Sequence, residues 1–375
     1  MTFGVIAREL GRRRHKVTVY RPKLAEKREP SREDFDEVEM PGLPIPGYPL
    51  LRLGLPAGGR LERQWRAERP DIVHVTTEGP LGASAISSAR RLGIPVTSSF
   101  HTNFHSYAGL YGFAPLRGLT VAWLRRVHNR TVRTFAPTAD LCTELALMGF
   151  RNLAVLSRGV DTRQFSPERR QFALRSSWGV GPEDPVVLHV GRLAVEKNYP
   201  LVFRAFAAMR VAQPRCRLVL VGDGPLRAGL QRDHPECIFT GFISRDDLAR
   251  HYASADIYVH ASLTETFGNV LTEAMASGLA VAGFDYAAAR QFMRTEENGL
   301  SVPVGQPDAF VLAAARLATD PDLRRRLRQA ARATVERQSW ETVVVRFEEE
   351  LNRIAAAANE TPAPLNATPT PHALI

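Results

Sequence analysis

Asp256-Ile257-Tyr258-Val259-His260, an apolar strand, runs into Ser262-Leu263-Thr264-Glu265-Thr266-Phe267-Gly268-Asn269-Val270-Leu271-Thr272-Glu273-Ala274-Met275-Ala276-Ser277-Gly278. Val270, Leu271, Ala274 and Met275 fall on one face at helical spacing, which predicts a short buried helix starting near Asn269 and closed by Gly278. Glu265 then lies on the loop before that helix and Glu273 within it. Strand, Gly-bearing loop and helix start is the arrangement that turns free backbone N–H groups toward an anion. A carboxylate on each side can accept from hydroxyls, so the element suits an anion flanked by hydroxyls, as in a sugar nucleotide. A plainer reading has Glu265 capping the helix and Glu273 decorating it.

Outward from this stretch the same logic repeats. Pro185 to Val190 is a continuous apolar strand ending in Gly191-Arg192, and Arg217 to Val221 is another, closed by Gly222-Asp223-Gly224-Pro225. With strands at Cys237–Thr240 and Leu279–Gly283, and helices between them, residues 168–338 read as a Rossmann-like domain. Residues 1–167 show the same alternation, with strands at Val17–Tyr20, Asp71–Val75, Ile94–Phe100, Val132–Ala136 and Leu153–Leu156. Pro41 to Pro56 is rich in proline and glycine and reads as an irregular connection or a short strand with loops. The periodicity lapses around Gln164-Phe165-Ser166-Pro167, which marks the domain boundary. Residues 339–356 read as a C-terminal helix packing back toward the first domain, and residues 357–375, with almost no charge, as a disordered tail.

The chain has 375 residues, enough for two cores, and its 44% hydrophobic and 23% charged composition is that of a globular protein. Cys142, Cys216 and Cys237 lack the spacing of a disulfide framework or zinc site and fit a reducing cytoplasm. The net charge of +10 calls for negatively charged partners. Arginines in Arg12-Arg13-Arg14, Arg125-Arg126 and Arg324-Arg325-Arg326 are either solvated helix faces or an attraction to an anionic membrane surface. No interleaving of basic and aromatic residues points to nucleic acid.

Two facing doubly wound domains place their ligand crevice at the carboxyl ends of both sets of strands, and the chemically suggestive residues fall there. Arg192 and Lys197 follow an apolar strand and can clamp a diphosphate. The backbone groups of Gly268, Asn269 and Val270, next to Phe267, share that charge. Phe242-Ile243 lies at another strand end. His101, after Ile94–Phe100, faces the crevice from the first domain. A zinc site on His101 and His105 is disfavoured because no third ligand follows. Phe104, Tyr107, Tyr111 and Phe113 form an acceptor platform or ordinary core.

The Glu265/Glu273 pair ending in Glu-Ala-Met-Ala-Ser-Gly resembles the retaining glycosyltransferases of family 4, which have the GT-B fold. Gly191, Arg192, Lys197 and Asn198 match the family's basic loop, and Arg158-Gly159-Val160-Asp161 with Phe165 its hinge element, where arginine replaces the usual asparagine. The resemblance implies that Arg192 and Lys197 neutralise the leaving nucleoside diphosphate, that Glu273 holds the ribose and Glu265 the transferred sugar, both as ionised carboxylates, that Ile243 lies by the base, and that His101 sits beside the reacting carbon. It implies no metal and no other cofactor. Family members open with a strand and Gly-bearing loop before the first helix, whereas this sequence starts within that helix. That leaves the first sheet short of a central strand, either because the true start lies upstream of Met1 or because this is a damaged copy.

Thr77-Glu78-Gly79-Pro80-Leu81-Gly82 and Ser99-Phe100-His101-Thr102-Asn103-Phe104-His105-Ser106-Tyr107 look most like GDP-mannose-dependent α-mannosyltransferases. A UDP-sugar-dependent glycolipid glycosyltransferase is the alternative donor reading. An inactive nucleotide-binding remnant and a sugar-nucleotide epimerase are the readings from other classes. The expected acceptor is a lipid or glycan at the cytoplasmic membrane face.

Overall fold

The computed structural model of the protein describes residues 2–23, 34–45, 48–101 and 117–360. Its second half is one six-stranded sheet built from β9 (Val186–Val190), β10 (Arg217–Val221), β11 (Ile238–Gly241), β12 (Ile257–His260), β13 (Ala280–Phe284) and β14 (Leu300–Val302), in the order β11-β10-β9-β12-β13-β14. Every pairing is parallel. Parallel strands need crossovers, and the helices that supply them cover both faces, which is why β9, β12 and β13 are buried end to end and apolar but for His189 and His260. Alternate residues serve opposite cores. Val187, Leu218, Leu220, Ile257 and Val259 pack under helices Tyr199–Ala212 and Pro307–Thr319, while Leu188, Val190, Val219, Tyr258 and Val281 pack against helices Asn269–Ala276 and Pro321–Glu336.

At the amino ends of these strands, buried Asp256 collects Arg175 at 2.8 Å, Arg170 at 2.9 Å, Arg328 at 3.5 Å and the Val186 amide at 3.0 Å. Burial pushes this carboxyl up, but the three arginines together hold it below its ordinary range.

The first half divides its strands. β5 (Val73–Val75), β6 (Val96–Ser99), β7 (Arg133–Ala136) and β8 (Leu153–Val155) form a parallel sheet in that order, and β1 (Thr18–Pro22) pairs in parallel with β2 (Asp36–Met40) as a separate ribbon. One core joins the two sheets through Met40, Leu61, Trp65, Val75 and Ile86. The Pro/Gly-rich passage is more ordered than its composition suggests: β3 (Gly42–Ile45) and β4 (Tyr48–Gly54) form an antiparallel hairpin. A two-stranded ribbon tolerates Pro44 because each strand needs its N–H groups on one side only.

Helix Trp340–Glu360 lies against this first half, with Val344 and Phe347 packed on Ile6 and Phe135. Glu348 meets His15 at 2.6 Å and Arg13 at 3.2 Å, and Glu350 meets Arg133 at 3.1 Å. The helix continues past residue 356, where the tail was expected to begin, because the Ala355–Ala358 run has the highest helix propensity available. Residues 361–375 lie outside the described residues. Among the described residues no helix is long and apolar enough to cross a membrane.

Candidate active site

The strand order reverses between β9 and β12, and the crevice beyond their carboxyl ends is the natural ligand site of such a sheet. The loop after β9 carries Lys197 and the loop after β12 carries Glu265. Their backbones are tied where the Leu263 N–H donates to the Glu196 carbonyl at 2.9 Å. A third loop supports them from below. Gly222, at φ 129°, passes so close that a Cβ would stand 2.0 Å from the Gly191 carbonyl oxygen, so only glycine fits there.

Helix Asn269–Ala276 opens into the crevice. Its N-cap is Gly268 in the left-handed region at φ 95°, and no side chain caps the first turn, so those amides remain for a ligand. The crevice, about 260 Å³, is lined by His101, Arg158, Lys197, Glu265 and the run Thr266–Val270. Residues from both halves of the chain thus meet around one helix start.

Lys197 Nζ donates to Glu265 Oε1 at 2.5 Å, with both side chains largely buried. Burial alone would raise the Glu265 carboxyl, yet the charge of Lys197, with the hydrogen bond it donates, outweighs it and holds the group below its ordinary range. His260, whose Nε2 is 3.9 Å from the same oxygen, is driven down to about 4 by burial despite that carboxylate. The ring is neutral at physiological pH.

His101 is also neutral. Burial, reinforced by the positive charges of Arg158 and His128, lowers it to about 3. Its ring packs edge-on to Phe3 at 4.8 Å, and both ring nitrogens are buried without a hydrogen-bond partner. A neutral imidazole with two unspent polar atoms suits holding a sugar hydroxyl, not delivering charge. His105 and the aromatics Phe104, Tyr107, Tyr111 and Phe113 lie outside the described residues.

Glu273 stands a turn further into the helix. Tyr252 Oη donates to its Oε2 at 3.3 Å, but burial dominates over that bond and over the Arg245 charge, and the carboxyl rises to about 7. It is therefore only partly ionised at neutral pH before a ligand arrives, where the sequence led us to expect a fully ionised carboxylate. The periodicity placed Glu273 on the helix but carried no sign of the Tyr252 packing that dries it.

Three expected residues stay outside the crevice lining: Glu273, one turn into the helix, Arg192 and Ile243. Arg192 is solvent-exposed beside it, and Ile243 is half-buried against the core under β11, next to the exposed Phe242. Conversely, Arg158 lines the crevice although no role for it was read from the sequence; the signal was its replacement of asparagine in the hinge element. Among the described residues no group of three or more His, Cys, Asp or Glu is placed to hold a metal ion.

Comparison with known proteins places the chain in a family. The profile for Glycosyltransferase Family 4 matches residues 4–164, and that for Glycosyl transferases group 1 matches residues 171–334. A GDP-mannose-dependent alpha-mannosyltransferase of Mycobacterium tuberculosis is 36% identical over 81% of this chain and 78% of its own length. Sulfoquinovosyl transferase SQD2 of Arabidopsis thaliana is 29% identical over 82% of this chain and 61% of its own. Among solved structures, Anabaena HepE in complex with UDP and glucose superposes with a TM-score of 0.71 at 19% identity, over 94% of this chain and 95% of that one, a likeness of fold. With two facing Rossmann-like halves, a shared crevice and these relatives, the chain belongs to glycosyltransferase family 4 and is a GT-B hexosyltransferase that draws its sugar from a nucleotide donor.

Proposed function

We propose that the protein is a retaining α-mannosyltransferase that takes mannose from GDP-mannose and passes it to a hydroxyl of a lipid or glycan acceptor. The observation that carries this reading is the Lys197–Glu265 pair set at an uncapped helix start, with neutral His101 facing it from the other half of the chain. The similarity to the mycobacterial mannosyltransferase favours mannose and guanine. The diphosphate rests on Lys197, Arg192 and the amides of Gly268, Asn269 and Val270, beside Phe267. Glu273 accepts from the ribose, Ile243 flanks the base, and Glu265 and His101 hold the sugar. These fixed charges take up the negative charge of the departing phosphate without a metal ion.

Among the described residues the carboxylate in the crevice, Glu265, is held by Lys197, and the reaction we propose is a same-face displacement. The bond from the anomeric carbon to the phosphate oxygen breaks, the bond to the acceptor oxygen forms on the same face, and the acceptor proton passes to the departing phosphate. The anomeric configuration is kept.

A UDP-sugar donor is the second reading, favoured by the similarity to a sulfoquinovosyl transferase. An inactive remnant that keeps only the nucleotide site is the third. The setting we propose is the cytoplasmic face of a membrane, approached by helix Arg117–His128. Leu119 is 72% and Trp123 47% exposed there, and Arg126 is exposed near Arg90 and Arg130. Burial, together with repulsion from Arg90, Arg126 and Arg91, lowers Arg130, which marks a local excess of positive charge.

The test is incubation with GDP-mannose or UDP-glucose and a membrane-lipid extract, reading nucleotide release and the anomeric configuration of the product by NMR. An α-mannoside formed with release of GDP supports the proposal. A β product or exclusive use of the UDP donor contradicts it, and nucleotide binding with neither nucleotide release nor product returns the remnant reading.

A further inference from the structure

We propose that Arg158 is a further cation for the donor's diphosphate, reaching it from the hinge while Lys197 holds it from the β9 loop. Arg158 lines the same crevice as Lys197, Glu265 and the helix start at Asn269. Its guanidinium lies 5.8 Å from the centroid of the Phe267 ring, and Phe267 immediately precedes the N-cap glycine. Stacking of this kind orients a guanidinium and leaves its N–H donors unspent. Among the described residues Arg158 makes no ion pair, and its buried Nε has no hydrogen-bond partner. Burial disfavours its charged form, and the Glu265 carboxylate across the crevice works against that cost.

Charge balance points to the ligand. A nucleoside diphosphate brings two or more negative charges into the crevice. Lys197 is already engaged by Glu265 at 2.5 Å, His101 is neutral and Arg192 is exposed outside the lining. Of the two cations that line the crevice itself, Arg158 is the one without an ion pair among the described residues. A planar fork of donors matches adjacent phosphate oxygens better than a lysine would. Its place in the chain adds a consequence. Arg158 precedes Gly159 and Val160, where the Val160 N–H donates to Gln338 at 3.0 Å and a Cβ on Gly159 would stand 2.5 Å from Trp340 Cα. A donor held by both Lys197 and Arg158 therefore bridges the second sheet and the hinge.

This assignment rests on the nucleotide-donor reading above but not on the identity of the base. The experiment is calorimetric titration of the full chain and of Arg158→Gln and Arg158→Lys with GDP, GMP, UDP and UMP, with melting temperatures as the control for folding. Arg158→Gln is expected to weaken the bound diphosphate by about tenfold or more, the size of a lost hydrogen bond to a charged group, while the matching monophosphate loses less than about threefold. Arg158→Lys recovers part of the loss. Unchanged diphosphate affinity in Arg158→Gln, or equal losses for mono- and diphosphate, overturns the assignment while leaving the donor reading intact. An effect confined to an anionic acceptor overturns it too. If the wild type binds none of the nucleotides, the donor reading and this assignment fall together.

Discussion

Lys197 Nζ and Glu265 Oε1 stand 2.5 Å apart on the loops that leave two neighbouring strands, β9 and β12, where the order of the second sheet reverses. The pair fixes both loops before a ligand arrives and keeps Glu265 ionised in a largely buried place. Lys197→Met should leave that carboxylate without its nearest partner and lower stability by up to about 3 kcal/mol. Combining it with Glu265→Gln should recover much of that loss, a coupling that thermal denaturation of the two single variants and the double variant would measure. Independent, additive losses would mean that the pair does not act as a unit.

Glu273 gives a pH signature. Its folded pKa, about 7, lies above the ordinary value of 4.5, so the folded state holds the proton more tightly than the unfolded chain. Its contribution to stability is therefore present below pH 4.5 and is lost as pH rises through 7. Glu273→Gln should raise the melting temperature more at pH 8 than at pH 5. Because ribose hydroxyls donate to the ionised form, nucleotide binding by the wild type should strengthen from pH 6 to pH 8, and the variant should lose that dependence. Parallel pH profiles for the two proteins would count against the ribose role.

Asp256 titrates with the opposite sign. Three arginines depress its carboxyl, so its contribution is present above the ordinary carboxylate range and is lost as pH falls through the depressed folded value. Asp256→Asn leaves Arg175, 1% exposed, without its counter-charge. A loss of about 3–5 kcal/mol in denaturant unfolding is expected. A loss below about 1 kcal/mol would mean that the carbonyls of Ser254, Gly181 and Asp184 satisfy Arg175 alone.

Helix Arg117–His128 can be tested on vesicles. Cosedimentation with phosphatidylglycerol vesicles should exceed that with phosphatidylcholine and fall with salt. Arg126→Glu combined with Trp123→Ser should reduce it by about tenfold. Equal binding to both lipids would remove the membrane-facing role of this helix.

Much of this architecture is written in local pattern. β9, β12 and β13 are covered on both faces, so they read as unbroken apolar runs, and the helices between them repeat at helical spacing. Helices Phe172–Ser177, Arg227–Asp233 and Ala287–Phe292 escaped because pieces of 6 or 7 residues are too short to show a period. The hairpin Gly42–Gly54 was masked by prolines that an exposed ribbon accepts. Within the site, Lys197, Glu265 and the helix start were legible because each sits at a strand end. Arg158 was not, because its place beside Phe267 depends on how the hinge crosses the mouth of the second sheet, a tertiary relation with no local period.

The measurement that bears most directly on the whole account is calorimetric titration of the purified chain with GDP and UDP, with Lys197→Met and Glu273→Gln alongside. The account predicts that GDP binds more tightly than UDP and that both variants weaken it. Tighter binding of UDP, or GDP binding indifferent to both substitutions, would contradict it.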